Sequence, residues 1–419
     1  MSVLEISETR RDVASRRVLF LLSIVELLAM SLWFTGTAVL PQVTAIWKSD
    51  IGLSAWLTIA VQVGFAAGAL GFALFNIPDI FNPIAVLAVS SILAAGANAG
   101  FAFVAEHPVP AILMRGATGF FLAGVYPTGM KIIAGWFQQG RGLALGIMIG
   151  ALTLGSALPH GVNSFGGIAW RGVVLIGSGF ALVAALIVAI GVRQGPYATA
   201  PSRLDLSQIG EIVRNRPLRL ANLGYLGHMW ELYSMWAWIA VIFAATTHWP
   251  RSKFELSTAA VIGVGSIGCV WAGAASDRLN HVASVRAGAA PGIPEQVVTD
   301  RIAQRARVTV IAMIVSAACC LAAALVFRSP QALLLVALVW GVAVIADSAQ
   351  FSAIISEVSH KSYMGTALTL QTALGFLLTA FVIRLMAAIA NSFGWRLALV
   401  SMALGPLLGI WAMSRLMKK

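Results

Sequence analysis

Long apolar runs alternate along the chain with short polar breaks. The runs fall at roughly 18–40, 53–75, 84–105, 110–136, 142–162, 169–192, 218–246, 256–275, 308–327, 331–355, 364–389 and 396–414. Each has about the 20 residues that a helix needs to cross a bilayer, and each is too long for the strand of a soluble domain. The pattern predicts an all-α membrane protein with twelve transmembrane helices. Arginines precede the first run as they would in a signal peptide, but its length and the lack of a small-residue cleavage site predict a retained helix.

The two most polar internal stretches are 193–217 and 276–307. The first follows six spans, which predicts an N-terminal six-helix bundle over 1–192, a linker over 193–217 and a C-terminal six-helix bundle over 218–419. The halves echo each other. Ala169-Trp170-Arg171 opens span six, and Gly394-Trp395-Arg396 opens span twelve at a distance of 225 positions. Glu26 precedes Trp33 by seven residues, and Glu231 precedes Trp236 by five. Weak internal symmetry of this kind is expected of transporters built from parallel repeats. Glycines four apart, Gly142, Gly146 and Gly150 in span five and Gly64 and Gly68 in span two, make small faces for close helix packing, static or sliding.

Composition narrows the class. Of 419 residues, 59% are hydrophobic and 11% charged, against about 25% charged in soluble domains, so a soluble protein is excluded. Cys269, Cys319 and Cys320 all lie in apolar runs, which excludes a disulfide-stapled scaffold. The net charge of +12 raises nucleic acid as a partner. Its distribution gives another explanation. Twelve spans leave both termini on one side, and if that side is cytoplasmic it holds 19 of the 28 Lys and Arg residues, Arg203, Lys361 and Lys419 among them. The positive-inside rule then orients the chain with both termini cytoplasmic, and nucleic acid is not needed to account for the charge.

Several motifs carry a family resemblance. Gly273-Ala274-Ala275-Ser276-Asp277-Arg278, between spans eight and nine, resembles the G-x-x-x-D-R loop signature of the major facilitator superfamily. The equivalent loop after span two keeps Asp79 but lacks the arginine that should follow it. Arg115 to Gly119 in span four resembles the R-x-x-x-G motif of the superfamily, and Trp136-Phe137 with Arg141-Gly142 resembles the loop after span four in its solute porters. The resemblance implies two pseudo-symmetric six-helix bundles and a central cavity. That cavity would be lined chiefly by helices one, four, seven and ten and open alternately to each side, with Asp79, Gly273, Asp277 and Arg278 as a cytoplasmic gate motif. It also implies a working monomer. The nitrate-porter glycine signature is absent, and Gly155 to Gly161 only loosely resembles the antiporter motif of drug exporters.

Ionisable residues at membrane depth cost about 2.5 to 3.5 kcal/mol each on insertion scales and default to functional candidates. Glu26 lies about 12 Å into span one and Glu231 about 20 Å into span seven. Asp347 lies in span ten, one turn before Gln350. His228 and Glu231, three apart, share a helix face on which they can touch. Burial disfavours a charged carboxyl and imidazole titrates near neutrality, so Glu26, His228, Glu231 and Asp347 are the candidates for proton coupling. The structural alternative pairs these acids permanently with Arg115 or Lys131. Trp33, Phe34, Trp230, Tyr233 and Trp236 cluster near the acids and, with Arg115, Tyr126 and Gln350, are the candidates for substrate binding. Tyr126-Pro127 predicts a break in span four.

These features predict a proton-coupled symporter for a small organic solute, one bearing a carboxylate, in the inner membrane. Its partners are the substrate, protons and lipid, with no nucleic acid, no cofactor and no bound metal. Two alternatives stand beside it. The three acids and the aromatic residues suit an antiporter exporting drugs or organic cations. His228, Met229 and Met235 offer ligands for copper import, although the two methionines point apart on a helix. No protease, esterase or nucleotide-binding motif points to an enzyme; Gly263, Gly265 and Gly268 spell a nucleotide fingerprint, but within an apolar span and with no strand before them.

Overall fold

The computed structural model describes residues 3–137, 140–166, 168–197, 205–287, 295–360 and 363–418. Arg203, Lys361 and Lys419, which the charge count places on the cytoplasmic side, and part of the linker lie outside the described residues.

Twelve long helical segments follow in order and, among the described residues, there is no strand. The N-terminal six are α1 (Val3–Met30), α2 (Ile51–Leu74), α3 (Pro83–Val104), α4 (Pro108–Ala134), α5 (Arg141–Ser164) and α6 (Trp170–Gly191). The C-terminal six are α7 (Arg216–Thr246), α8 (Arg251–Ala275), α9 (Thr299–Leu325), α10 (Pro330–Val358), α11 (Met364–Phe393) and α12 (Trp395–Met417). Eleven of them are long and apolar enough to cross a bilayer. Helix α1 carries Arg16, Arg17 and Glu26 among its apolar residues and stops at Met30; the chain then turns and continues as Thr35–Ala38 and Leu40–Trp47.

Helix ends differ from the apolar limits in a consistent way. The first run starts near 18, yet its helix starts at Val3. The polar stretch 276–307 is helical up to Ala287 and again from Glu295. Hydropathy records where lipid begins, whereas a helix continues into water while its residues favour it.

The repeat is visible in matching contacts. Arg171, at the start of α6, donates to the Ala102 carbonyl near the end of α3 at 3.0 Å. Arg396, at the start of α12, donates to the Ala324 carbonyl near the end of α9 at 3.1 Å. Each arginine satisfies a carbonyl that a helix terminus leaves without a partner. Helices α4 and α10, fourth in each half, are both interrupted: α4 over 123–125, ahead of Pro127, and α10 at Asp347. Proline accounts for the first break, since it has no N–H and collides with the preceding turn.

The halves meet along two seams, α5 against α8 and α2 against α11. The α5 glycines lie on the first. A Cβ built on Gly146 would stand 2.6 Å from the Cys269 carbonyl oxygen, so the backbones approach too closely for any side chain. Gly64 and Gly68 instead pack against the backbone of α4 within one half. Gly265 and Gly268 of the apparent nucleotide fingerprint pack against α10 carbonyls at 2.7 and 2.5 Å from their built Cβ atoms, a purely structural use.

Candidate functional site

Between the halves lies a cavity of about 1290 Å³. Its deep end is aromatic. Trp33 comes from the turn that ends α1, Tyr233 and Trp236 from α7 and Phe376 from α11, with Phe65 of α2 packed behind. Ring centroids lie 5.3 Å apart for Trp33 and Phe376, 5.1 Å for Tyr233 and Phe376, and 5.7 Å for Tyr233 and Trp236. Both halves therefore build this floor. The indole nitrogens of Trp33 and Trp236 are buried, and among the described residues neither has a hydrogen-bond partner.

Helix α7 presents one face to the cavity. Tyr225, Met229, Leu232, Tyr233 and Trp236 line it, at the spacing of a single helical stripe. Trp230 falls outside that stripe. It turns toward α12, donates to the Ser401 carbonyl at 3.2 Å and does not line the cavity, contrary to the expectation for it. Phe34 is likewise one layer back, packed on Trp236 with ring centroids 5.7 Å apart. Tyr126 on α4 and Gln350 on α10 do line it.

The other end of the cavity reaches exposed residues, Arg141, Ser352 and Ser356 among them. Lys131, Arg141, Arg301 and Arg305 line this mouth with two acids, Asp277 and Glu357. Arg305 is held by Glu357 at 3.0 Å and by Gln350 at 3.0 Å. The gate-motif residues lie on the same face. Asp277 accepts from the backbone N–H groups of Gly142 and Leu143 at 2.9 and 2.7 Å, capping α5 of the opposite half. An acid there is favoured by the free amides and the dipole of the helix start. Gly273 packs against Gly142, Arg278 is exposed, and Asp79 pairs with Lys131 of its own half.

Arg115, expected among the substrate ligands, does not line the cavity. It is fully buried. Its guanidinium donates to the carbonyls of Leu32 at 3.0 Å and Trp33 at 2.6 Å, and to Thr35 and Asn98 at 2.9 and 2.7 Å. The turn that interrupts the chain after α1 frees those carbonyls, and the planar fork of arginine satisfies several at once. Arg115 thus fixes the turn that aims Trp33 into the cavity.

The membrane acids also sit behind the wall, not on it, and they do not converge on one point. His228 Nδ1 lies 2.8 Å from Asp347 Oδ1, close enough for an ion pair but without the alignment of a hydrogen bond. Glu231 does not meet His228. One of its oxygens accepts from Ser316 at 2.6 Å, Cys320 at 3.0 Å and Trp340 at 2.6 Å, between α9 and α10. Glu26 is fully buried against Gly129 of α4, and among the described residues neither of its oxygens has a hydrogen-bond partner. Tyr225 and Phe376 are cavity residues that the sequence reading left out, and Met229, weighed there only as a copper ligand, lines the cavity too; the signal available was the stripe that Tyr225 and Met229 form with Tyr233 and Trp236.

Two repeated helical bundles, seams rich in glycine and a central cavity reaching one face define a membrane carrier. The chain belongs to the Major Facilitator Superfamily, whose sequence profile matches residues 19–294, and it is a secondary transporter. Its fold is similar to crystal structures of a bacterial homologue of the human lysosomal transporter Spinster. For the inward-facing, occupied conformation the TM-score is 0.69 at 13% identity, over 95% of this chain and 96% of that one. For the inward-facing, unoccupied conformation it is 0.65 at 15% identity, over 97% and 98%. No curated protein matches this sequence.

Proposed function

We propose that this transporter takes up a small organic solute bearing a carboxylate, together with protons, by alternating access. The observation that carries the reading is the make-up of the cavity: an aromatic floor with two indole N–H groups unpartnered among the described residues, and a mouth lined by Lys131, Arg141, Arg301 and Arg305, of which Lys131 is paired with Asp79 and Arg305 with Glu357. An anion is drawn toward such a mouth, and an apolar or aromatic body suits the floor. The indole groups are donors only, so they favour an acceptor on the solute.

Proton coupling is assigned to Glu26 and to the His228 and Asp347 pair, with Glu231 beside them. Among the described residues no donor fixes either oxygen of Glu26, so taking up or releasing a proton there breaks no hydrogen bond among them. In this reading residues 1–192 and 218–419 are two moving units joined by 193–217, and the chain works as a monomer in the inner membrane. The charge distribution supports cytoplasmic termini, which makes the exposed end of the cavity the inward side.

The competing reading, export of organic cations by antiport, draws on the buried acids and the aromatic floor. It is less favoured because Glu26, Glu231 and Asp347 do not line the cavity. Copper import fits less well, since His228 is engaged by Asp347 and only Met229 of the two methionines lines the cavity. The test is uptake into proteoliposomes under an imposed pH gradient, across a series of matched aromatic and aliphatic carboxylates, amides and amines. Carboxylate accumulation driven by inward protons is expected; amine efflux driven by inward protons would overturn the reading.

A further inference from the structure

The face opposite the cavity mouth is closed by a buried polar cluster, of which only His160 falls in a stretch the sequence singles out, Gly155 to Gly161. It joins the far end of α5 in one half to the first turns of α8 in the other. His160 Nδ1 lies 2.6 Å from Glu255 Oε2. Asn163 donates its amide to the other carboxylate oxygen of Glu255 and to the Ala38 carbonyl, both at 2.7 Å. Arg251 donates to the Asn163 side-chain oxygen and, with the Gln42 amide turned to satisfy its neighbours, to Gln42 as well. His160 and Glu255 are 0% and 1% exposed. None of these residues lines the cavity.

We propose that His160, Asn163, Arg251 and Glu255 form the clasp that holds the cavity shut on the far face, and that its separation is the step that opens that face. The inference rests on the alternating-access reading above. Its chemistry suits a contact made and broken on every cycle. Buried polar groups give up hydration to form such a contact, so much of what its closing contributes is recovered from water when the halves part. An apolar seam of equal size would gain nothing from water on opening. Both carboxylate oxygens of Glu255 are used, so removing any one partner leaves a buried polar group unsatisfied in the closed form only. Every such loss therefore biases the protein toward an open far face.

The experiment measures two distances by pulsed electron spin resonance on the full chain in nanodiscs. One label pair reports the far face, on Lys48→Cys and Ser329→Cys. The other reports the mouth, on Phe81→Cys and Ser356→Cys. All four positions are exposed, and the native cysteines are buried. In Glu255→Gln and His160→Phe backgrounds the far-face distance is expected to shift to longer values while the mouth distance shortens. Arg251→Gln, at an exposed position, supplies the same comparison should the buried variants fail to fold, and Arg251→Lys is expected to restore part of the parental distribution. An unchanged far-face distance in the folded variants overturns the clasp. A far face that lengthens without shortening at the mouth keeps the clasp and overturns alternating access.

Discussion

His228 and Asp347 meet across α7 and α10 with 2.8 Å between Nδ1 and Oδ1, and this meeting takes place at the one residue where α10 is interrupted. The pair joins α7 to the helix break that precedes Ser348, Ala349 and Gln350, which line the cavity. Asp347→Asn is expected to abolish accumulation driven by a pH gradient while leaving solute exchange measurable in the same proteoliposomes. Accumulation at the parental level would remove Asp347 from the coupling path.

Glu26 and Glu231 should separate in the same assay. Glu231 holds three donors on one oxygen, so Glu231→Leu leaves Ser316, Cys320 and Trp340 without their acceptor. A loss of about 3 kcal/mol is expected, from the cost of unsatisfied buried groups, seen as a lower thermal midpoint in detergent. Glu26 holds none, so Glu26→Gln is expected to keep the midpoint and lose proton-driven accumulation. Equal midpoints for the two variants would contradict the difference in their surroundings.

Arg115→Ala is expected to act on folding. It strips donors from the Leu32 and Trp33 carbonyls and from Asn98, and several buried acceptors left unsatisfied at about 1 to 3 kcal/mol each set the scale of the loss. Arg115→Lys keeps the charge but loses the fork, so it should recover only part of the midpoint. A variant with a normal midpoint and a selectively raised KM would restore Arg115 as a substrate ligand.

The indole N–H groups of the floor can be removed without removing the rings. Trp33→Phe and Trp236→Phe are each expected to raise KM about threefold to tenfold, the worth of one neutral hydrogen bond, at an unchanged thermal midpoint. The effect should vanish for solutes that lack an acceptor at that end.

At the α5 and α8 seam, Gly146→Ala places a methyl 2.6 Å from the Cys269 carbonyl oxygen. Transport should fall steeply, because the halves must pass through this contact. Gly96→Ala meets nothing within 4 Å and serves as the silent control. Equal activity in the two variants would show that the seam tolerates separation.

The spans were legible because bilayer thickness imposes a length and an apolarity that any single run displays on its own. The site was legible in part, for the same local reason. Tyr233, Trp236 and Tyr126 lie on helices that the family resemblance assigns to the cavity. Trp230, expected to line the cavity, turns toward α12, because nearness to an acid in sequence says nothing of which side of a helix a ring occupies. Partners are the least legible of all. His228 finds Asp347, Arg115 finds Asn98 and Leu32, and His160 finds Glu255, each through helix packing that leaves no periodic trace in the chain. The resemblance supplied Asp277, but its binding to the start of α5 emerges only from the fold.

The donors of Arg115 end on carbonyls, a hydroxyl and an amide, and among the described residues no carboxylate pairs with it. Its charge is solvated by dipoles and is not cancelled. One of those carbonyls belongs to Trp33, which lines the cavity, so an uncompensated cation stands a single residue behind the floor. In a low dielectric its potential extends well past contact distance. On the proposed reading, the N-terminal half thus adds an electrostatic preference for a carboxylate that the solute need not touch.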